Sequence, residues 1–210
     1  MTGRTLALFA LVAVGCHRNH RPCSSDLAAV IELRDGTGGL EMSLRQPPIA
    51  GSSLDLCDEK GQRIGSLTET TAPRTVTLFN AAGDAWVRLD ASHPDADPTM
   101  ILAAENGPRG APLRLHASGY LVRILDSQGL PVGQIGPQAG KTVTFDHAGT
   151  PLAFTDTVEN RRIVHQRDGA VEHYVLGISD ERAAAAFALD AFRPAERLAL
   201  ARFLDTPPPR

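Results

Sequence analysis

Leu54-Asp-Leu-Cys-Asp-Glu-Lys-Gly-Gln-Arg-Ile-Gly-Ser-Leu67 aligns without gaps on Val122-Arg-Ile-Leu-Asp-Ser-Gln-Gly-Leu-Pro-Val-Gly-Gln-Ile135, 68 residues further along the chain. The copies share Asp58 and Asp126, Gly61 and Gly129, Gly65 and Gly133, with Ile64 matching Val132 and Leu67 matching Ile135. The match continues through Thr75-Val-Thr-Leu-Phe-Asn-Ala-Ala-Gly83 against Thr142-Val-Thr-Phe-Asp-His-Ala-Gly149, with one residue dropped. An apolar run, a short polar segment closed by glycine and a second apolar run read as a β-hairpin. Two such units at a fixed spacing read as a duplicated antiparallel β-meander.

The turn chemistry explains the recurrence. Asp58, Asn80, Asp126 and Asp146 each open a polar segment ending in glycine, at Gly61, Gly83, Gly129 and Gly149. An Asp or Asn side chain accepts from amides two residues on, and glycine takes the positive φ that closes a hairpin with a bulge. These acidic residues are therefore read as turn formers and not as catalytic carboxylates. Ala28–Arg34, Asp35-Gly-Thr-Gly-Gly39 and Leu40-Glu-Met-Ser-Leu44 predict one more hairpin upstream. Arg167-Asp-Gly169, between Arg162–His165 and Val171–Val175, predicts another downstream. Asp90-Ala-Ser-His-Pro-Asp-Ala-Asp-Pro98 cannot continue a central strand and is read as a loop. Its Asp95 and Asp97 lack the glycine and distal glutamate of an EF-hand.

The periodicity changes after the last hairpin. Ser179–Phe192 opens with a capping Ser or Asp and runs from Ala183 to Leu189 without a charge, so a helix over about 181–192 is predicted with most of its circumference buried. Pro194 starts a second helix to Leu204, with Leu200, Phe203 and Leu204 as its inner stripe. The predicted class is mainly β with C-terminal helices: a duplicated meander closing as a barrel or sandwich, with the 181–192 helix buried in or against it.

Composition sets the outer bounds. The chain has 210 residues, 42% hydrophobic and 21% charged, with a formal net charge of −3. It is too apolar to be disordered throughout, and it lacks the basic excess of a protein held by nucleic-acid phosphates. One basic residue, Arg4, precedes an uncharged apolar run from Leu6 to Val14. Those nine residues fall far short of the ~20 that cross a bilayer, so the segment reads as a signal peptide. Val12-Ala-Val-Gly-Cys16 resembles the lipobox of bacterial lipoproteins. That resemblance implies cleavage before Cys16 and acylation of its sulfur and new amine, and His17 in the next position implies outer-membrane sorting if the source has one. The expected organisation is signal peptide 1–15, tether 16–27, a single domain 28–206 and a disordered tail 207–210. The expected location is the cell envelope, with the membrane as partner through the anchor.

With Cys16 acylated, Cys23 and Cys57 remain in an exported chain, where they either pair as a disulfide or stay as free thiols. Cys16, His17, His20 and Cys23 mimic a ligand cluster, but lipidation consumes Cys16 and a tether offers no supporting shell, so no metal is assigned. His93, His116, His147, His165 and His173 form no HxH or HExxH pair. His165 and His173 are expected to face each other across the last hairpin, without a third ligand. No nucleophile elbow, Walker loop or dinucleotide fingerprint is present, so no catalytic or cofactor residue is assigned.

Paired Asp-x-x-Gly turns followed by an Ala-rich apolar helix resemble the tubby C-terminal-like group, with its LURP-one and scramblase families, over about residues 50–192. The resemblance implies a duplicated sheet closed as a barrel around a C-terminal helix, and membrane or phosphoinositide association. The helix after Pro194 departs from that pattern, and with no Lys/Arg cluster visible, no binding residues are carried over. The expected role is a non-catalytic binding or structural module for a lipid or envelope partner. A hydrolase with a spatially assembled site and an accessory subunit of a surface complex are the alternatives. A lined cavity or a large exposed apolar patch would favour the first.

Overall fold

The computed structural model describes residues 22–23, 29–47, 53–93, 96–102, 112–159 and 161–205. The lipobox with Cys16, most of the tether and the 207–210 tail lie outside them. The strands are β1 (Ala29–Asp35), β2 (Leu40–Arg45), β3 (Ser53–Asp58), β4 (Arg63–Thr71), β5 (Arg74–Asn80), β6 (Ala85–Ala91) and β7 (Thr99–Leu102) in the first half. The second half adds β8 (Leu113–Ser118), β9 (Leu121–Leu125), β10 (Pro131–Gln138), β11 (Lys141–Phe145), β12 (Pro151–Val158), β13 (Arg161–Gln166) and β14 (Val171–Leu176). Each strand pairs with its chain neighbours and β1 pairs with β14, giving a closed barrel. The repeated units are β3–β4 and β9–β10, each continued by the next strand.

Buried positions alternate along strands such as β1, β4, β5, β6 and β9. Leu56, Leu67, Leu78, Leu89, Ile124 and Ile135 are fully buried, while Arg88, Arg114 and Arg123 point out to solvent. This is the reverse of a membrane-spanning barrel, whose lipid-facing side is apolar. No helix among the described residues is long and apolar enough to cross a membrane.

An up-and-down meander alternates its connections between the two barrel ends. The hairpin turns opened by Asp35, Asp58, Asn80, Asp126 and Asp146 therefore fall at one end. Asp35, Asp58, Asn80, Asp126 and Asp146 each use Oδ1 to accept from the amides two and four residues on, at 2.8–2.9 Å. Gly61 and Gly129 take φ of 71° and 82° there. The turn after β13 opens at Gln166, with Asp168 accepting from Ala170 at 3.0 Å. The repeat glycines Gly65 and Gly133 serve close packing: a Cβ would lie 2.2 Å from Phe79 O in the first case and 2.7 Å from Leu189 Cδ2 in the second.

The C-terminal segment fills the lumen. The predicted 181–192 helix is instead a short α1 (Glu181–Ala185), a 3-10 turn (Ala186–Ala188) and an extended Leu189. A helix continued inside the barrel would carry Asp190 into the core, and the break leaves it exposed. The carbonyls freed by the break have partners: Thr144 Oγ1 donates to Ala185 O at 2.8 Å, and Arg197 donates to Phe187 O at 2.8 Å and Phe192 O at 2.7 Å. Asp180 caps α1 through the Arg182 amide. The second helix, α2 (Pro194–Asp205), buries Leu198, Ala199, Leu200, Ala201 and Phe203, a wider face than the predicted stripe, with Leu204 only partly covered.

Cys23 and Cys57 stand at disulfide distance, with their Cα atoms 6.2 Å apart. The same segment bridges Pro22 to Gln62, and Cys23 N donates to Gly61 O at 2.8 Å. The chain thus joins the barrel at the Asx-turn end.

Two local expectations need correction. The loop after β6 starts at Ser92, because Asp90 and Ala91 still pair with Thr75 and Arg74. His165 and His173 do not face each other. A bulge sets His173 opposite Val164 and His165 opposite Val171, so the two rings project from opposite faces of the sheet.

Candidate functional site

A cavity of ≈ 970 Å³ opens at the end opposite the Asx turns. Its rim is the Thr71–Pro73 turn, Ser92, His93, Ala96 and Pro98 after β6, and the Ser179–Asp180 approach to α1. Inside, Ala91, Ala117, Val122, Phe203 and Leu204 make a mostly apolar wall. The space exists because α1 leans on β10–β13 and α2 on β5 and β6, while the inward positions between them carry alanine at 91 and 117. Tyr120 and Val158, two of the large hydrophobic residues left exposed, sit at this same end.

The polar groups of the rim are mostly spoken for. Ser179 N, Ser179 Oγ and Asp180 N all donate to Asp205 Oδ1, at 2.7, 3.0 and 2.9 Å, tying the end of α2 to the start of α1. The Ser179 hydroxyl thus donates to a carboxylate oxygen that two backbone amides also hold. Arg182 grips Asp180 through Nε and Nη2 and donates to Gly119 O at 3.1 Å. Burial pushes the Asp180 carboxyl up, but the hydrogen bonds and charge of Arg182 outweigh it and leave it below its ordinary value.

Arg74 is the exception. It shares the inward parity of Val76 and Leu78, where a charge is costly. Its guanidinium stacks over Phe203 at 4.5 Å and one Nη donates to Phe203 O. Its buried Nε has no hydrogen-bond partner. Burial, with repulsion from Arg202, lowers its pKa against the pull of Glu69. Glu69 is itself clasped by Arg202 at 2.9 and 2.7 Å. Among the described residues no carboxylate lies within ion-pair distance of Arg74, although Glu69 acts on it through charge.

The opposite end has a different character. His173 Nδ1 lies 3.3 Å from Glu41 Oε2 without hydrogen-bond geometry. Burial and the charge of Arg197 push its imidazole down to about 4, against the pull of Asp35. Burial first, then like charge, raises the carboxyls of Glu41, beside Asp35, and Glu172, beside Asp190. Every member of this group prefers its neutral form more than it would in water. On the outer wall His165 stacks on Phe154 at 4.8 Å, and Lys141 Nζ lies over the same ring, 4.0 Å from its centre and 3.1 Å from Asp156.

The residues singled out in the sequence scatter. Asp58, Asn80, Asp126 and Asp146 are turn formers in place. Cys16, His17, His20 and Asp95 lie outside the described residues, and Asp97 pairs with His116 at 3.0 Å. Among the described residues no group of three or more His, Cys, Asp or Glu side chains could hold a metal ion. Arg74 was missed, although its signal is present: in Arg74-Thr-Val-Thr-Leu78 it occupies the same alternating positions as the inward Val76 and Leu78. No protein-family model, curated protein or solved structure matches the chain.

Proposed function

We propose that the protein is a lipid-anchored, non-catalytic module of the cell envelope that holds a lipid in the cavity at one end of its barrel. The observation that carries this reading is the apolar, alanine-walled cavity with its inward arginine, a shape and lining typical of small-molecule sites of about 300–1,000 Å³. The lipobox-like Val12–Cys16 supports the anchor, since two or more acyl chains hold a protein stably at a bilayer. Under sorting by His17 the membrane is the outer one in a two-membrane cell. The seven steps from Cys16 to Cys23 span at most ~25 Å, so the Asx-turn end is the membrane-proximal one and the cavity opens away from the anchoring membrane.

The anchor is tested by Cys16→Ser: expected are loss of labelled palmitate incorporation and loss of membrane fractionation. Unchanged labelling would overturn that half. The cavity is tested by equilibrium binding of long-chain amphiphiles to the folded chain, where no binding of any would overturn the other half.

A further inference from the structure

Resting on that reading of the cavity, we infer that its ligand is a single-chain amphiphile with an anionic headgroup, carboxylate or phosphate monoester, and that Arg74 is the residue that selects the charge.

Three observations converge on this class. The inner wall of Ala91, Ala117, Val122, Phe203 and Leu204 is aliphatic and aromatic, which suits an alkyl chain, while the polar side chains gather at the rim and at Arg74. Its ≈ 970 Å³ accommodates one chain and is too small to enclose a two-chain phospholipid whole. Its lining carries two arginines, Arg74 and Arg182, and two aspartates, Asp180 and Asp205, and they are unevenly paired. Asp205 is turned to the Ser179 hydroxyl and the Ser179 and Asp180 amides. Arg182 is neutralised by Asp180 and Arg202 by Glu69, while Arg74 has only a carbonyl and a ring face.

An inward guanidinium with an orphaned Nε is costly unless something completes it. A guanidinium presents a planar fork of donors, the geometry that a carboxylate or phosphate matches with two parallel hydrogen bonds. Glu69 lies close enough to act on Arg74 electrostatically, but both its oxygens are already used by Arg202. An arriving anion would therefore meet a guanidinium that no carboxylate holds, with one Nη already donating to Phe203 O. The acyl chain would run from Arg74 along Phe203 and Val122 toward Ala117. A neutral hydroxyl headgroup would accept a hydrogen bond from the guanidinium but would not compensate its charge.

The test compares palmitate, lysophosphatidate and hexadecanol as probes at pH 8, using the full-length chain carrying Cys16→Ser. The wild-type cavity should bind at least one of the two anions about tenfold more tightly than the alcohol, the size expected of a charge-assisted pair. Which anion is preferred identifies the headgroup. Arg74→Met should remove the difference between the anions and hexadecanol, and Arg74→Lys should restore part of it. The wild-type comparison stands even if Arg74→Met fails to fold. Equal affinity for anions and alcohol overturns the headgroup inference and leaves the cavity reading intact. Binding of none of the three, by protein whose fold is verified by circular dichroism, overturns both.

Discussion

The two ends of the barrel are made from the same strands and differ in nearly everything else. At one end, turn after turn is closed by an Asp or Asn whose carboxylate or amide oxygen takes two backbone amides. There His173, Glu41 and Glu172 crowd beneath the turns in poorly solvated positions, and the Cys23–Cys57 link ties the tether down. At the other end the connections are shorter or irregular, the lumen is lined by alanines, and an arginine looks inward without an acid. The lesson is that a meander can assign its two rims to different work, because each hairpin turn it repeats always returns to the same rim.

The largest expected effect lies between the ends. Phe187 is fully buried in the lumen, and Phe187→Ala should cost about 3–5 kcal/mol of unfolding free energy in urea titration. Next is the clamp on the tether. Cys57→Ala opens a loop with a sequence separation of 34 and should cost about 3–4 kcal/mol. An unchanged urea midpoint in the variant would show that the clamp contributes nothing to stability.

The acidic rim should announce itself in pH dependence. The His173 imidazole is held at about 4, below its ordinary 6.5, so the unfolded chain takes up a proton first. Its contribution is complete above pH 6.5 and is lost as pH falls toward 4. Glu41 and Glu172, raised in the fold, work in the opposite sense, adding stability as pH falls through their folded values. His173→Gln should therefore spare the protein about 1–2 kcal/mol of the loss between pH 7 and pH 5, allowing for the partial solvation of the site. Parallel pH profiles for the two chains would remove His173 from the account.

Smaller still is a single turn. Asp126→Ala should cost about 1 kcal/mol, and combined with Asp58→Ala the losses should add to within about 0.5 kcal/mol, since each turn closes its own hairpin. Strong non-additivity would mean that the rim acts as one unit.

What the sequence disclosed follows from how local each determinant is. The turns were legible because Asp58 and Gly61 satisfy each other within five residues. Strand parity was legible for the same reason. The barrel rather than the sandwich was not, because closure rests on β1 meeting β14, a pairing of Leu33 with Val175 that no local pattern encodes. The early end of α1 was hidden because propensity favours helix through Phe192, while the burial cost of Asp190 appears only once the lumen exists. His165 and His173 were misplaced by one bulge. The cavity was the least legible feature, since it depends on which strands the two helices lean against. Yet Ala91, Ala117 and Arg74 each stood at a readable inward position.

The most direct trial of the cavity as the ligand site is to fill it. Ala117 faces the open space and is not packed in the core, so Ala117→Trp should leave the unfolding midpoint unchanged. Native mass spectrometry of the full-length chain with palmitate should then show one bound molecule on the wild type and none on the variant. Equal occupancy of the two would contradict the account.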